Sequence, residues 1–208
     1  GLTSELADGV GYVVRVPAIR TLMALSIMVV VLGFMWQVVL PALLERHLDR
    51  APTDVGLFFS INAIAALAVS LPLAGIVATR WAWPAMFACS AMLGIGFFFL
   101  AAAPTFEAAL LATILLGPGL SGFMLVNNAL IMANTDAGYF GRVMSLTMLA
   151  FGLQGVFSLP FGALADFIGE REMLVIVGVV VLVVTLGGSL FALRLKRRGD
   201  LDRKSTAA

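Results

Sequence analysis

Few residues in this chain have types suited to bond-making chemistry, and their spacing keeps them apart. Gly119-Leu120-Ser121-Gly122 has the Gly-x-Ser-Gly form of a serine nucleophile, and Ser121 falls inside a long apolar run. Such a serine needs a general base within hydrogen-bond reach. The one histidine, His47, lies in a polar gap before the second apolar run, and the runs after Ser121 contain none. The dyad of an intramembrane protease is not expected, and no catalytic residue is assigned. Cys89 is the single cysteine, which excludes an intrachain disulfide; together Cys89 and His47 cannot supply the usual Cys/His ligand spacings of a metal site. The expectation is a non-enzyme without metal or cofactor.

Amides inside the apolar runs are the second kind of polar chemistry. Gln37 stands beside Trp36 in the first run, Asn62 in the second, Asn127-Asn128 in the fourth and Gln154 in the fifth. An amide surrounded by hydrocarbon must find a partner, so each is expected to face the bundle interior. Two roles follow. Each can make an interhelical hydrogen bond of about 1 kcal/mol. As a set, Trp36, Gln37, Asn62, Asn127, Asn128 and Gln154 can line a cavity walled by Phe, Met and Trp, suited to a bulky, mostly apolar ligand with a few hydrogen-bonding groups. Carboxylates avoid the run interiors: Glu107 and Asp166 stand at ends, as does Arg80. A proton path needs a buried ionisable group, so a coupling carboxylate is expected outside these residues.

The elements that position these groups are read from hydropathy. The chain is 61% hydrophobic and 12% charged, with mean hydropathy +1.05. A soluble domain carries about 25% charged residues, so lipid is the expected solvent for most of this surface. A helix needs about 20 apolar residues to cross the hydrocarbon. Six runs qualify: Thr21–Leu44, Val55–Thr79, Trp83–Ala103, Phe106–Met132, Val143–Phe167 and Met173–Leu195. Pro104 and Thr105 leave only a tight hairpin between the third and fourth. The fold class is an all-α polytopic membrane bundle, with residues 21–195 as the bundle, 1–20 as a cytoplasmic linker with an amphipathic segment and 196–208 as a basic cytoplasmic tail.

Cations give an orientation. Arg15, Arg20, Arg80, Arg142, Arg194, Lys196, Arg197, Arg198, Arg203 and Lys204 fall on one set of alternating gaps, and Arg46, Arg50 and Arg171 on the other. The richer side is expected to be cytoplasmic, with both termini inside. The start at Gly1, and a first segment carrying Glu5 and Asp8 rather than a secretory leader, suggest a piece of a longer protein or a processed chain.

A short internal repeat relates the second run to the fifth. Leu71-Pro72-Leu73-Ala74-Gly75-Ile76-Val77-Ala78-Thr79 aligns with Leu159-Pro160-Phe161-Gly162-Ala163-Leu164-Ala165-Asp166 on Gly75 and Gly162. The two copies end on opposite membrane faces, as in a 3+3 inverted repeat. Pro72, Gly117, Pro118, Gly119 and Pro160 are helix-kink candidates. Proline frees a carbonyl and bends the axis, and glycine lets backbones approach. Arg142, opening a helix, can bond the carbonyl ends of neighbouring helices as an inner gate or serve as an anchor.

With these features the chain resembles the C-terminal six-helix half of a major facilitator superfamily transporter. It is most similar to the branch holding enterobactin exporters and macrolide-efflux proteins. The resemblance rests on Asp8-Gly9-x-x-Tyr12-x-x-Arg15-x-Pro17, on Asn127-Asn128, on Gly141-Arg142-Val143-Met144-Ser145 and on Gly162-Ala163-Leu164-Ala165-Asp166-Phe167-Ile168-Gly169. The chain departs from the family where Thr79 stands before Arg80 in place of the usual aspartate, and where Tyr139-Phe140 replace a proline and a second basic residue. The resemblance implies secondary active export of a small amphiphilic compound, a drug or a siderophore, by alternating access, with Arg80 and Arg142 at a cytoplasmic gate. It implies as partners the lipid bilayer of a bacterial cytoplasmic membrane, an N-terminal six-helix half or a second copy, a small-molecule substrate and, in an antiporter, protons. No nucleic-acid partner is expected. The other reading is a non-transporting polytopic subunit, or a half-size protein acting as a homodimer.

Overall fold

The computed structural model describes residues 2–197, with the side chains of 8–196 except Pro52 and Ala150. The expected basic tail lies, from residue 198 on, outside the described residues. Helix α1 (Leu2–Arg15) is followed by six helical passages long and apolar enough to cross a membrane: Pro17–His47, Val55–Ile76, Ala82–Ala102, Phe106–Asn134, Ala137–Ile168 and Glu170–Lys196. They follow the expected order, with shifted ends, and the all-α bundle stands.

The first passage differs from an unbroken span. It consists of α2 (Pro17–Gly33) and α3 (Met35–His47), parted at the single turn residue Phe34, whose φ of −88° and ψ of −6° stay at the edge of the right-handed helical region. Gly33 is a poor helix former. It sits where a side chain would meet Leu120, since a Cβ there would come 2.6 Å from Leu120 Cδ1. The atoms it would meet are the ends of the Leu120 and Leu93 side chains, so Gly33 marks a close contact of the first passage with the third and fourth. The other passages are α4 (Val55–Ile76), α5 (Ala82–Ala102), α6 (Phe106–Asn134), α7 (Phe140–Ile168) and α8 (Glu170–Arg197), with single 3-10 turns at Pro52–Asp54 and Ala137–Tyr139. The hairpin at Pro104 and Thr105 is as tight as expected, and Thr105 caps α6 by accepting from the Ala108 N–H at 3.3 Å.

Helix neighbours define two rows. In front, α4 lies against α6, α6 against α2, and α2 against α7; behind, α5 packs on α6 and α8, and α8 also on α2. Exchanging the first three passages with the last three turns the α4–α6 pair into α7–α2 and the α5–α6 pair into α8–α2. It returns α5–α8 and α2–α6 to themselves. This is the pairing of a 3+3 inverted repeat. Contacts in lipid depend on close backbone approach and buried hydrogen bonds. The α5–α8 crossing has both: Gly178 lies against Gly94, and Ser90 Oγ and Thr185 Oγ1 are 2.7 Å apart in the core. At the α6 crossings, a Cβ on Gly117 would fall 2.6 Å from the Asn62 carbonyl oxygen and one on Gly119 2.6 Å from the Leu93 backbone nitrogen.

The ends of the front row are left uncovered. Of the most apolar stretch of each passage, 61% is buried in the first and fourth, but 11% in α4 and 6% in α7. Leu67, Leu71, Val156, Leu159 and Phe167 are among the exposed large apolar residues of these two helices.

Candidate functional site

Polar side chains gather in three places: among the front-row helices and at each rim of the bundle. Trp36 (α3) is buried and tilted against Phe59 of α4, ring centroids 5.6 Å apart, and its Nε1–H has no acceptor among the described residues. Asn127 (α6) is equally buried, with its Oδ1 unpaired among them. Unpaired buried polar atoms cost free energy and are rare in folded chains, so each calls for a reason. Asn62 is half-buried where α4 crosses Gly117; Gln37, Asn128 and Gln154 are half-buried on α3, α6 and α7. The six residues are therefore distributed over all the front-row passages, and no interhelical hydrogen bond links any two of them among the described residues. Pro72, Pro118 and Pro160 lie inside helices that continue through them, as does Pro41 of α3. Ser121 is also within α6, while His47 is engaged at a rim.

At the rim with few cations, α3, α7 and α8 are tied by charge. Arg46 Nη1 donates to Glu170 Oε1 at 2.7 Å and to Asp166 Oδ1 at 3.1 Å, and His47 Nε2 lies 3.0 Å from Glu170 Oε2. The Glu170 side chain is 5% exposed, against 56% for Arg46 and 64% for Asp166. Glu170 is thus the buried anchor of the cluster. Arg50 stands 3.9 Å from Glu107 and over the Phe106 ring, and Arg171 Nη2 donates to the Ala103 carbonyl at 2.9 Å. Sequence reading placed Arg46, Arg50 and Arg171 on this side but missed the cluster. The polar segment Asp166 to Glu172 was a signal, yet its partner at 46–47 lies over a hundred residues away.

The cation-rich rim holds both gate candidates. Tyr12 of α1 stacks on Tyr139, centroids 4.1 Å apart and 6° from parallel. Its hydroxyl donates to Asp136 Oδ2 at 3.1 Å and accepts from the Asp136 N–H at 3.0 Å. Arg142 lies 5.5 Å from the same Tyr139 ring, so α1, the turn before α7 and Arg142 form one packed unit. Arg80 is exposed in the α4–α5 turn, 5.5 Å from the Trp81 ring. Thr79 shapes that turn: its hydroxyl donates to the Ile76 carbonyl at 2.7 Å and accepts from the Trp81 N–H at 3.2 Å. The threonine found where the family usually has aspartate acts here as a turn cap. The two arginines are in separate contacts, each on its own aromatic ring.

A six-passage bundle of inverted repeats narrows the family, and comparison decides it. The family model of the Major Facilitator Superfamily matches residues 23–208. The chain belongs to that superfamily. No match was found among curated proteins or solved structures. As a major facilitator the chain is an integral membrane protein of transporter and not enzyme type, with the bilayer and a small-molecule substrate as partners. The Phe34 backbone stays bonded, its N–H donating to the Val30 carbonyl at 3.3 Å and its carbonyl accepting from the Gln37 N–H at 3.1 Å, and Gly33 is the one residue-type signal for the turn in a continuous apolar run.

Proposed function

We propose that this chain is the C-terminal half of a secondary active exporter, moving a small amphiphilic compound such as a drug or siderophore by alternating access against an N-terminal six-helix half of the same protein. The observation that carries the reading is the pairing of two uncovered front-row helices with two orphaned polar groups on the helices between them. Helices α4 and α7 flank α6 and the α2–α3 passage, where Trp36 Nε1 and Asn127 Oδ1 are buried without partners among the described residues. Both residues are only 1% exposed, so a substrate reaches their unpaired atoms when rocking opens the front row. Gln37, Asn62, Asn128 and Gln154 are the adaptable polar contacts around them. A Cβ on Gly152 or Gly155 of α7 would meet nothing within 4 Å, so their smallness serves no packing among the described residues and suits an opposing helix. Such a half rocks as a unit around a midplane site. Arg80 and Arg142 lie on the cytoplasmic side by the positive-inside rule, with both termini inside, in a bacterial cytoplasmic membrane. Pro72, Pro118 and Pro160, with Gly117 and Gly119, supply bends for the rocking.

The test is accumulation of a dye, drug and siderophore panel in cells lacking or overexpressing the full-length gene. Overexpression should lower accumulation of at least one compound. Asn127→Ala and Gln154→Ala should alter the substrate profile by several-fold at unchanged protein level. Identical accumulation in every background for all compounds would count against export, and an unchanged profile in both variants would return those amides to packing roles.

A further inference from the structure

We propose that the chain carries a binding site for one anionic phospholipid at the cation-rich rim, between the α4–α5 turn and the last turns of α6 and α8. A cavity of about 650 Å³ opens there, with Arg80 and Lys196 on its wall beside Thr79, and Trp83, Phe87 and Leu193 forming its apolar side. Among the described residues, no carboxylate lines it. Neither Arg80 nor Lys196 makes an ion pair among those residues. The reason at Arg80 is local, because the position before it holds Thr79, whose hydroxyl is used within the turn. Two unneutralised cations on one concave wall attract a singly charged phosphodiester.

The depth of the cavity fits a lipid. Trp81, 58% exposed at the start of α5, and Trp83 just inside it mark the aromatic belt where headgroups lie. Below them Phe87 and Leu193 lead along α5 and α8 into the apolar face, a path for an acyl chain. The site spans the end of α4, the end of α6 and the back-row helices α5 and α8, at the rim and off the exposed mid-helix faces of α4 and α7, so its α5–α8 side faces bilayer in the arrangement proposed above. A free phosphate offers the same charge but makes no use of the apolar wall.

Native mass spectrometry of the full-length protein, titrated with dioleoyl phosphatidylglycerol, dioleoyl phosphatidylcholine or inorganic phosphate, tests the assignment, because adduct mass identifies the occupant. One phosphatidylglycerol adduct should form ahead of any phosphatidylcholine adduct. Arg80→Gln with Lys196→Gln should weaken it by about tenfold or more. Arg80→Lys with Lys196→Arg should retain it, and Arg194→Gln, a charge lost outside the cavity, should leave it unchanged. If the double glutamine variant does not fold, Lys196→Gln alone, at the exposed end of α8, should weaken the adduct by about fivefold. Equal binding of the two lipids, an Arg194→Gln effect as large as that of the pair, or displacement of the lipid by phosphate would each overturn the proposal.

Discussion

Glu170 illustrates how a single residue ties three helices. Its carboxylate is nearly enclosed, and it is tolerable there because Arg46 and His47 each bond one of its oxygens. The exposed Arg46–Asp166 contact contributes little, since surface pairs are screened and entropically costly. Removing one partner of a buried charge is worse than removing both. Arg46→Gln should therefore lower the melting temperature of the full-length protein more than Arg46→Gln combined with Glu170→Gln, and a double-mutant cycle on thermal unfolding in detergent reads the difference. Gly119 makes a second residue-scale case. An alanine Cβ would press on the Leu93 backbone, which has no flexible end to yield. Gly119→Ala should destabilise by about 1–3 kcal/mol, whereas Gly141→Ala, with nothing within 4 Å, should be near neutral in the same assay.

At the scale of elements, two turns deliver the rim cluster. Gly169 joins α7 to α8 with φ of 103°, so that Asp166 and Glu170 sit on either side of one sharp corner. A side chain there is strained whatever the space, and Gly169→Ala should cost about 1–3 kcal/mol. The end of α3 uses Asp49 at φ of 51°, with the Arg50 N–H closing back on the Leu44 carbonyl at 3.0 Å. This is the left-handed helix stop that glycine makes most easily. Asp49→Gly should therefore be neutral or stabilising by about 0.5–1 kcal/mol, and opposite shifts in melting temperature for the two substitutions are the expected result. The element boundary at Pro104 and Thr105 was legible from residue type. The turn at Phe34 was not, because it falls inside one continuous apolar run.

For the whole molecule, the uncovered faces of α4 and α7 give the functional proposal a geometric consequence. Leu71 stands near the cation-rich end of α4, and Leu159 in the part of α7 leading to the opposite rim; they are 72% and 80% exposed. Rocking of one half against another opens one end while it closes the other. In a cysteine-free background, Leu71→Cys and Leu159→Cys should change their labelling by a membrane-impermeant maleimide in opposite directions when substrate is added, by roughly several-fold. Parallel changes, or none, would contradict alternating access at these faces. The order of six passages and the division of cations between two rims were readable without coordinates. Hydrophobic length and Lys/Arg placement act on each segment separately, through the cost of exposing backbone or charge to hydrocarbon. The placement of the front-row amides was not readable. In lipid the outer face of a helix is as apolar as its packed face, so the 3.6-residue alternation that marks a buried side in soluble helices is erased. Pairings such as Glu170 with Arg46, Gly119 with Leu93 and Arg80 with Lys196 at one cavity depend on contacts between distant segments, and only folding brings those segments together.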